Sequence, residues 1–251
     1  MQPTTNQGLA LNYSNPLADT WEIYEAKVPD YLDGKTEVIF AKRNANMWVA
    51  QADLTGVPPE FHDADIEKFG FDSYKVDMGQ IKKICKNFVM KFPYWMEKGK
   101  GIYLWSTTPG TGKTFLGCCL AKSAMIKNNL RMRFVTAPDY ISLVIAGSKR
   151  ELGAEDKSEI YRNCDLLVLD DLGAQNSGNW QQQELFRLIN QRMENGGITI
   201  FTSNYPPEKL NLESRTIDRI IKMSIVLAMP EESIRREKAA KEQKEFLDNI
   251  L

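Results

Sequence analysis

From residue 78 onward, apolar and polar positions follow two alternating periods. Ile81, Ile84, Cys85, Phe88 and Phe92 recur at helical spacing, with Lys82, Lys83 and Lys86 on the opposite side, which predicts an amphipathic helix. Short apolar runs follow at 102–105, 132–135, 166–169, 198–201 and 224–228 and read as strands. Helical patterns lie near 113–127, 138–146, 155–162, 181–195 and 214–221. Strands separated by helices predict an α/β fold whose parallel sheet is covered on both faces. The charged run 231–251 predicts a terminal helix. The chain before residue 56 is less regular. Residues 1 to about 15 read as a loose leader, and 17–27 as a short helix with Trp21 and Tyr24 on one face. The stretch through Pro29 and Gly34 to Trp48 has no clear period. Gly56-Val57-Pro58-Pro59 is turn chemistry. It divides the chain into a short N-terminal extension, residues 1–55, as a candidate partner-binding segment, and a core, residues 56–251, that includes the C-terminal helix. Gly70-Phe71-Asp72-Ser73-Tyr74 reads as a second loop.

Composition removes several classes of function. With 32 basic and 33 acidic residues the net charge is −1, so any DNA contact must come from a local patch rather than a global field. There is no long apolar run of the kind a membrane span needs, and the first residues lack a secretory pattern, so no membrane association is expected. The one histidine, His62, and the four cysteines, Cys85, Cys118, Cys119 and Cys164, form no CxxC pair. Neither structural zinc nor a histidine base is expected, and reduced cysteines fit the cytoplasm.

The first strand runs into Thr107-Thr108-Pro109-Gly110-Thr111-Gly112-Lys113-Thr114-Phe115, with a helix after it. Strand, Gly-rich turn, Lys-Thr and helix in that order is the context of a phosphate-binding loop. Gly110 and Gly112 permit a tight turn that aims backbone N–H groups at phosphate oxygens, and the helix N-terminus adds positive potential. Lys113 is placed to reach the β- and γ-phosphates of ATP, and the Thr114 hydroxyl to hold Mg2+. Thr107 stands where the G-x-x-x-x-G-K-[ST] pattern has its first glycine. A β-branched residue has fewer backbone conformations, so weaker nucleotide binding is expected.

Asp165 precedes Leu166-Leu167-Val168-Leu169, which ends at Asp170-Asp171. An unbroken apolar run fits a central strand, and carboxylates at its C-terminal end fall where open α/β sheets bind ligands. Asp170 suits Mg2+, and Asp171 suits the polarisation of an attacking water. Aspartate is a methylene shorter than the glutamate common at the second position, so slow hydrolysis is expected. The strand at 198–201 leads to Thr202-Ser203-Asn204. Its amide could orient that water, although Ser-Asn-Tyr-Pro is also ordinary turn chemistry. Arg215 and Arg219 share a helix face, and on sequence alone a solvated helix accounts for them. Arg235-Arg236 open the charged tail under the same reading.

Taken together, Pro109 to Thr114, Leu166 to Gly173 including Asp170-Asp171-Leu172-Gly173, Thr202-Ser203-Asn204 and Arg215-Thr216-Ile217-Asp218-Arg219 resemble one family. It is the AAA+ branch that contains the DnaC and DnaI helicase loaders and the IstB transposition helpers. The lead-in Gly56-Val57-Pro58 and Phe71-Asp72-Ser73-Tyr74 belongs to the same resemblance, which covers about residues 56 to 236. It implies a P-loop AAA+ three-layer sandwich with a five-stranded parallel sheet and no separate C-terminal lid domain. It implies that Thr108 to Phe115 cradle ATP, with Asn204 at the sensor-1 position, Arg219 as an arginine finger acting on a neighbouring subunit, and Arg235 near sensor 2. It further implies a spiral oligomer that holds single-stranded DNA and opens a DnaB-type replicative helicase, in a bacterial cell or on behalf of a phage or mobile element. The N-terminal extension departs from the pattern. It has neither the zinc cysteines of the DnaI type nor a long basic helix like that of DnaC. Trp21 and Tyr24 are its candidate helicase contacts, and Lys149, Arg150, Ser177 and Trp180 the candidate DNA contacts. The competing functions are an IstB-like transposition helper ATPase and an adaptor that binds ATP without hydrolysing it.

Overall fold

The computed structural model describes residues 22–27, 36–41, 55–148, 157–174 and 178–250. The chain divides into two compact units, Met1–Asp53 and Leu54–Leu251.

In the first unit β1 (Glu22–Lys27) pairs antiparallel with β2 (Thr36–Ala41), Glu22 opposite Ala41 and Lys27 opposite Thr36. The helix expected over 17–27 is therefore a strand from Glu22 on, and the aperiodic stretch after it holds a second strand. A single apolar pair, Trp21 and Tyr24, is too short a signal to fix a period. What decides is a partner segment rich in β-branched and aromatic residues, Thr36, Val38, Ile39 and Phe40. Trp21 lies outside the described residues.

The second unit opens with short 3₁₀ turns at Pro59–Phe61, Ile66–Lys68 and Phe71–Ser73. The helix predicted through Phe92 is two: α1 (Gly79–Met90) and α2 (Phe92–Glu97), with proline in the first turn of α2. Pro93 lacks the N–H that would continue the first helix and is tolerated at the start of the second.

β3 (Gly101–Trp105), β4 (Met132–Thr136), β5 (Leu166–Leu172), β6 (Ile198–Ser203) and β7 (Ser224–Ala228) form one sheet in the order β4-β5-β6-β3-β7. Every neighbouring pair is parallel. Between and after the strands come α3 (Lys113–Asn128), α4 (Ala137–Ser148), α5 (Glu159–Asn163), α6 (Asn179–Glu194), α7 (Ser214–Met223) and α8 (Ile234–Ile250). α3 covers one face, where Val168, Ile200 and Thr202 reach Gly117. On the other face Tyr103, Val135, Leu167, Leu169 and Phe201 pack with Tyr140, Leu185, Leu188, Ile189 and Ile220 of the remaining helices. Both faces of the central strands β3, β5 and β6 are buried, which is why these strands read as continuous apolar runs.

Arg192 is buried inside this second layer. Its guanidinium donates to Thr199 Oγ1 at 2.9 Å, to the Ile198 carbonyl at 2.7 Å and to the Tyr161 and Cys164 carbonyls at 2.8 and 2.9 Å. One side chain thus ties α6 to the start of β6 and to the α5–β5 turn, with its donor fork spent on oxygens.

Candidate nucleotide site

The C-terminal ends of β3, β5 and β6 converge because the strands are parallel neighbours. At the end of β3 the chain turns through residues 106–112 into α3. Gly110 and Gly112 take left-handed φ values of 80° and 86°. A Cβ on Gly112 would stand 2.9 Å from Tyr74 Oη, and one on Gly110 2.8 Å from Ser233 Oγ. Both positions thus combine a conformation and a closeness that only glycine permits. Tyr74 donates to the Thr111 carbonyl at 2.8 Å. Phe115 stacks on Phe69, which in turn stacks on Tyr74, so the lead-in aromatics support the loop from beneath.

Lys113 is buried, and its ammonium donates to the Ser106 and Thr108 carbonyls at 3.3 and 3.2 Å. Burial lowers its pKa, against the opposing fields of Glu231, Asp171 and Asp170. Thr111 Oγ1 is buried without a hydrogen-bond partner. An orphaned polar atom in a glycine turn at a helix N-terminus fits a loop built for an anionic ligand.

At the end of β5 the pairing with β6 slips between Leu169 and Leu172, a bulge that contains the acidic pair. Asp171 adopts a left-handed φ of 54°, an uncommon conformation that aspartate tolerates better than most residues. The Thr202 hydroxyl joins the two acids: it donates to Asp170 Oδ1 at 2.5 Å and accepts from the Asp171 N–H at 2.9 Å. Burial pushes the Asp170 carboxyl up, against hydrogen bonds from the Thr202 and Thr114 hydroxyls. Asn204 Nδ2 lies 3.5 Å from Asp171 Oδ1. Lys113, Thr114, Asp170, Asp171 and Asn204 therefore share one cluster. The Thr114 hydroxyl beside the Asp170 carboxylate is an oxygen donor pair suited to Mg2+.

The segment after β7 lies against the same loop. Glu231 accepts from the Thr107 N–H and hydroxyl, both at 2.9 Å, and from the Thr108 N–H at 2.7 Å. The Arg235 N–H donates to the Gly110 carbonyl at 3.2 Å, and the charged side chain of Arg235 acts on Lys113.

A family model described as IstB-like ATP binding protein matches residues 33–242. The chain belongs to this family. The solved DnaC helicase loader is 26% identical over 69% of this chain and 100% of that one, with a TM-score of 0.59. DnaI is 25% identical over 70% of this chain and 93% of its own, with a TM-score of 0.55. The chromosomal replication initiator DnaA of Streptococcus equi subsp. zooepidemicus is 32% identical over 122 residues, 47% of this chain and 27% of the initiator. The fold is thus that of the AAA+ proteins, with a five-stranded parallel sheet, and the family is one of ATP binding proteins.

Not every expected residue of this IstB-like protein joins the cluster. Arg219 donates to Asn190 Oδ1 at 2.7 Å and to the Arg215 carbonyl at 3.0 Å. Its guanidinium and that of Arg215 lie 4.6 and 4.1 Å from the Phe186 ring centroid. These partners are on α6 and α7 and are not residues of the phosphate-loop cluster. Trp180 is exposed at the start of α6. Lys149, Arg150 and Ser177 lie outside the described residues. Sequence reasoning assigned no role to the Thr202 hydroxyl, to Tyr74 or to Glu231. Only the strand order, which sets the segment after β7 beside the segment after β3, brings Glu231 into view.

Proposed function

We propose that this chain is an ATP-driven loader of a DnaB-type replicative helicase that acts in DNA replication in the cytoplasm. The observation that carries the reading is the likeness of 69% of this chain to the whole of the solved DnaC helicase loader chain, at 26% identity. In this reading residues Thr108 to Phe115 cradle ATP, with the N–H groups of Gly110 to Thr114 and the Lys113 ammonium on its phosphates, and Arg235 closes on them from α8. Thr114 and Asp170 hold Mg2+, which would supply charge neutralisation on the phosphates. Asp171 accepts the proton of the attacking water, and Asn204, beside it, orients that water. Arg219 serves the site of a neighbouring subunit in a spiral that encloses single-stranded DNA. The test is a pull-down from host extract with ATP bound. Capture of a DnaB-type helicase supports the reading, and its absence against a captured transposase replaces it.

The family description favours a second reading, an IstB-like transposition helper, and the same experiment separates the two. An adaptor that binds ATP without turnover is a third outcome. It is recognised by a steady absence of phosphate release with DNA and the captured partner present.

A further inference from the structure

We propose that Thr107 and Glu231 form a matched clamp on the phosphate loop, with Glu231 a positioning residue for nucleotide binding. The proposal rests on reading the loop as an ATP site.

Thr107 occupies the position where the loop pattern has a glycine. Its hydroxyl and N–H, with the N–H of Thr108, converge on one carboxylate at 2.7 to 2.9 Å. Three donors on one carboxylate are short, charge-assisted bonds. Burial works against the charge on Glu231, but the donors of Thr108 and Thr107 outweigh it and hold the carboxyl down at about 2. The carboxylate thus stays ionised across the physiological range.

The clamp continues along the chain. The Glu232 carboxylate accepts the Lys75 N–H at 3.0 and 3.2 Å. Ser233 Oγ and Arg235 Cβ stand 2.8 and 3.0 Å from where a Cβ on Gly110 would be. The Arg235 N–H closes on the Gly110 carbonyl at 3.2 Å. Residues 231–235 therefore lie along the first half of the loop and lead directly into α8.

Two effects of Glu231 on a bound triphosphate oppose each other. Its negative charge repels the phosphates, and its hydrogen bonds fix the loop in a receiving shape. The residue is exposed, so solvent screens the repulsion. The donors it takes belong to Thr107 and Thr108, at the opposite end of the loop from the α3 N-terminus. Positioning is therefore the larger effect, and the threonine is no defect of the loop but one half of the clamp.

The test is titration of a fluorescent ATP analogue against the full chain. Glu231→Gln keeps the shape but brings an NH2 group that cannot accept. It should raise Kd about tenfold, the loss of one charge-assisted contact. Thr107→Val keeps the N–H and the branched shape and should raise Kd about threefold. The double variant should be no worse than Glu231→Gln, because both remove one unit. In nucleotide-free protein, amide exchange at Thr107 and Thr108 should accelerate in Glu231→Gln while β5 stays protected. Unchanged or tighter binding by Glu231→Gln overturns the clamp. If that protein does not fold, wild-type affinity in Thr107→Val overturns it. Lys113→Ala is the control. If it binds as tightly as wild type, the ATP-site reading is at fault, whereas loss in Lys113→Ala with no change in Glu231→Gln condemns the clamp alone.

Discussion

The Thr202 hydroxyl serves two acids with opposite tasks, accepting from the Asp171 backbone and donating to the Asp170 side chain. Asp171 is held by its backbone in a left-handed turn, so Asp171→Asn, which tolerates the same φ, should leave the geometry intact. The variant is expected to bind ATP at wild-type affinity and to lose turnover by about 100-fold or more, since an amide accepts no proton. Phosphate release at wild-type rate would remove Asp171 from that role. Asp170 sets a pH dependence. Its carboxyl is raised, so it protonates at a higher pH than an ordinary aspartate and then competes with a cation for the same oxygen. The Mg2+-dependent part of nucleotide affinity should weaken on acidification, starting above the ordinary aspartate range, and should be absent at every pH in Asp170→Asn. The same linkage acts on folding with the opposite sign. A raised carboxyl means that the ionised form costs stability in the free protein, so this group's contribution improves as pH falls. Glu231 behaves in reverse: its stabilisation is complete above 4.5 and is lost as pH falls towards about 2.

Among the elements, α6 carries two arginine arrangements of different kinds. Arg192 is buried and spends its donors on carbonyls, so Arg192→Ala should cost about 3 kcal/mol, read as a lower denaturation midpoint, because several buried oxygens lose their partner together. Lysine in its place should recover little, since one ammonium cannot span the same fork. A few residues earlier on the same helix, Phe186 and Asn190 hold Arg219. Arg219→Ala should bind ATP normally and hydrolyse it poorly, and mixing it with Lys113→Ala should restore part of the activity, because an intact loop then meets an intact arginine at one class of interface. Absence of recovery in proteins that still co-assemble would end the trans assignment. The elements themselves were largely legible. All five strands of the sheet and the phosphate-loop helix follow from apolar runs and a single motif, since strands buried on both faces leave a clear pattern. What was not legible depends on pairing. The β1–β2 hairpin needs its partner strand to be recognised, α5 begins at Glu159 rather than near 155, and the bulge at Asp170-Asp171 exists only in the register with β6. Glu231 follows the same rule, because its place beside Thr107 depends on β7 adjoining β3.

For the whole molecule, the division into Met1–Asp53 and Leu54–Leu251 places every residue of the nucleotide cluster in the second unit. A protein that begins near residue 56 is therefore expected to bind ATP within about twofold of the full chain and to fail to capture the partner. Retained capture would assign partner recognition to the second unit instead. Assembly brings one earlier feature to a further consequence. A long cationic side chain loses about 2 kcal/mol of rotamer freedom when it is immobilised. On this chain Arg219 is already stacked on Phe186 and bonded to Asn190 within its own subunit. Most of that loss is incurred when the monomer folds, not when neighbours meet. In the proposed spiral, subunits would meet with this arginine already ordered, so the interface would need to supply little of that entropy and could be weak and readily reversed while hydrolysis at it stays dependent on contact.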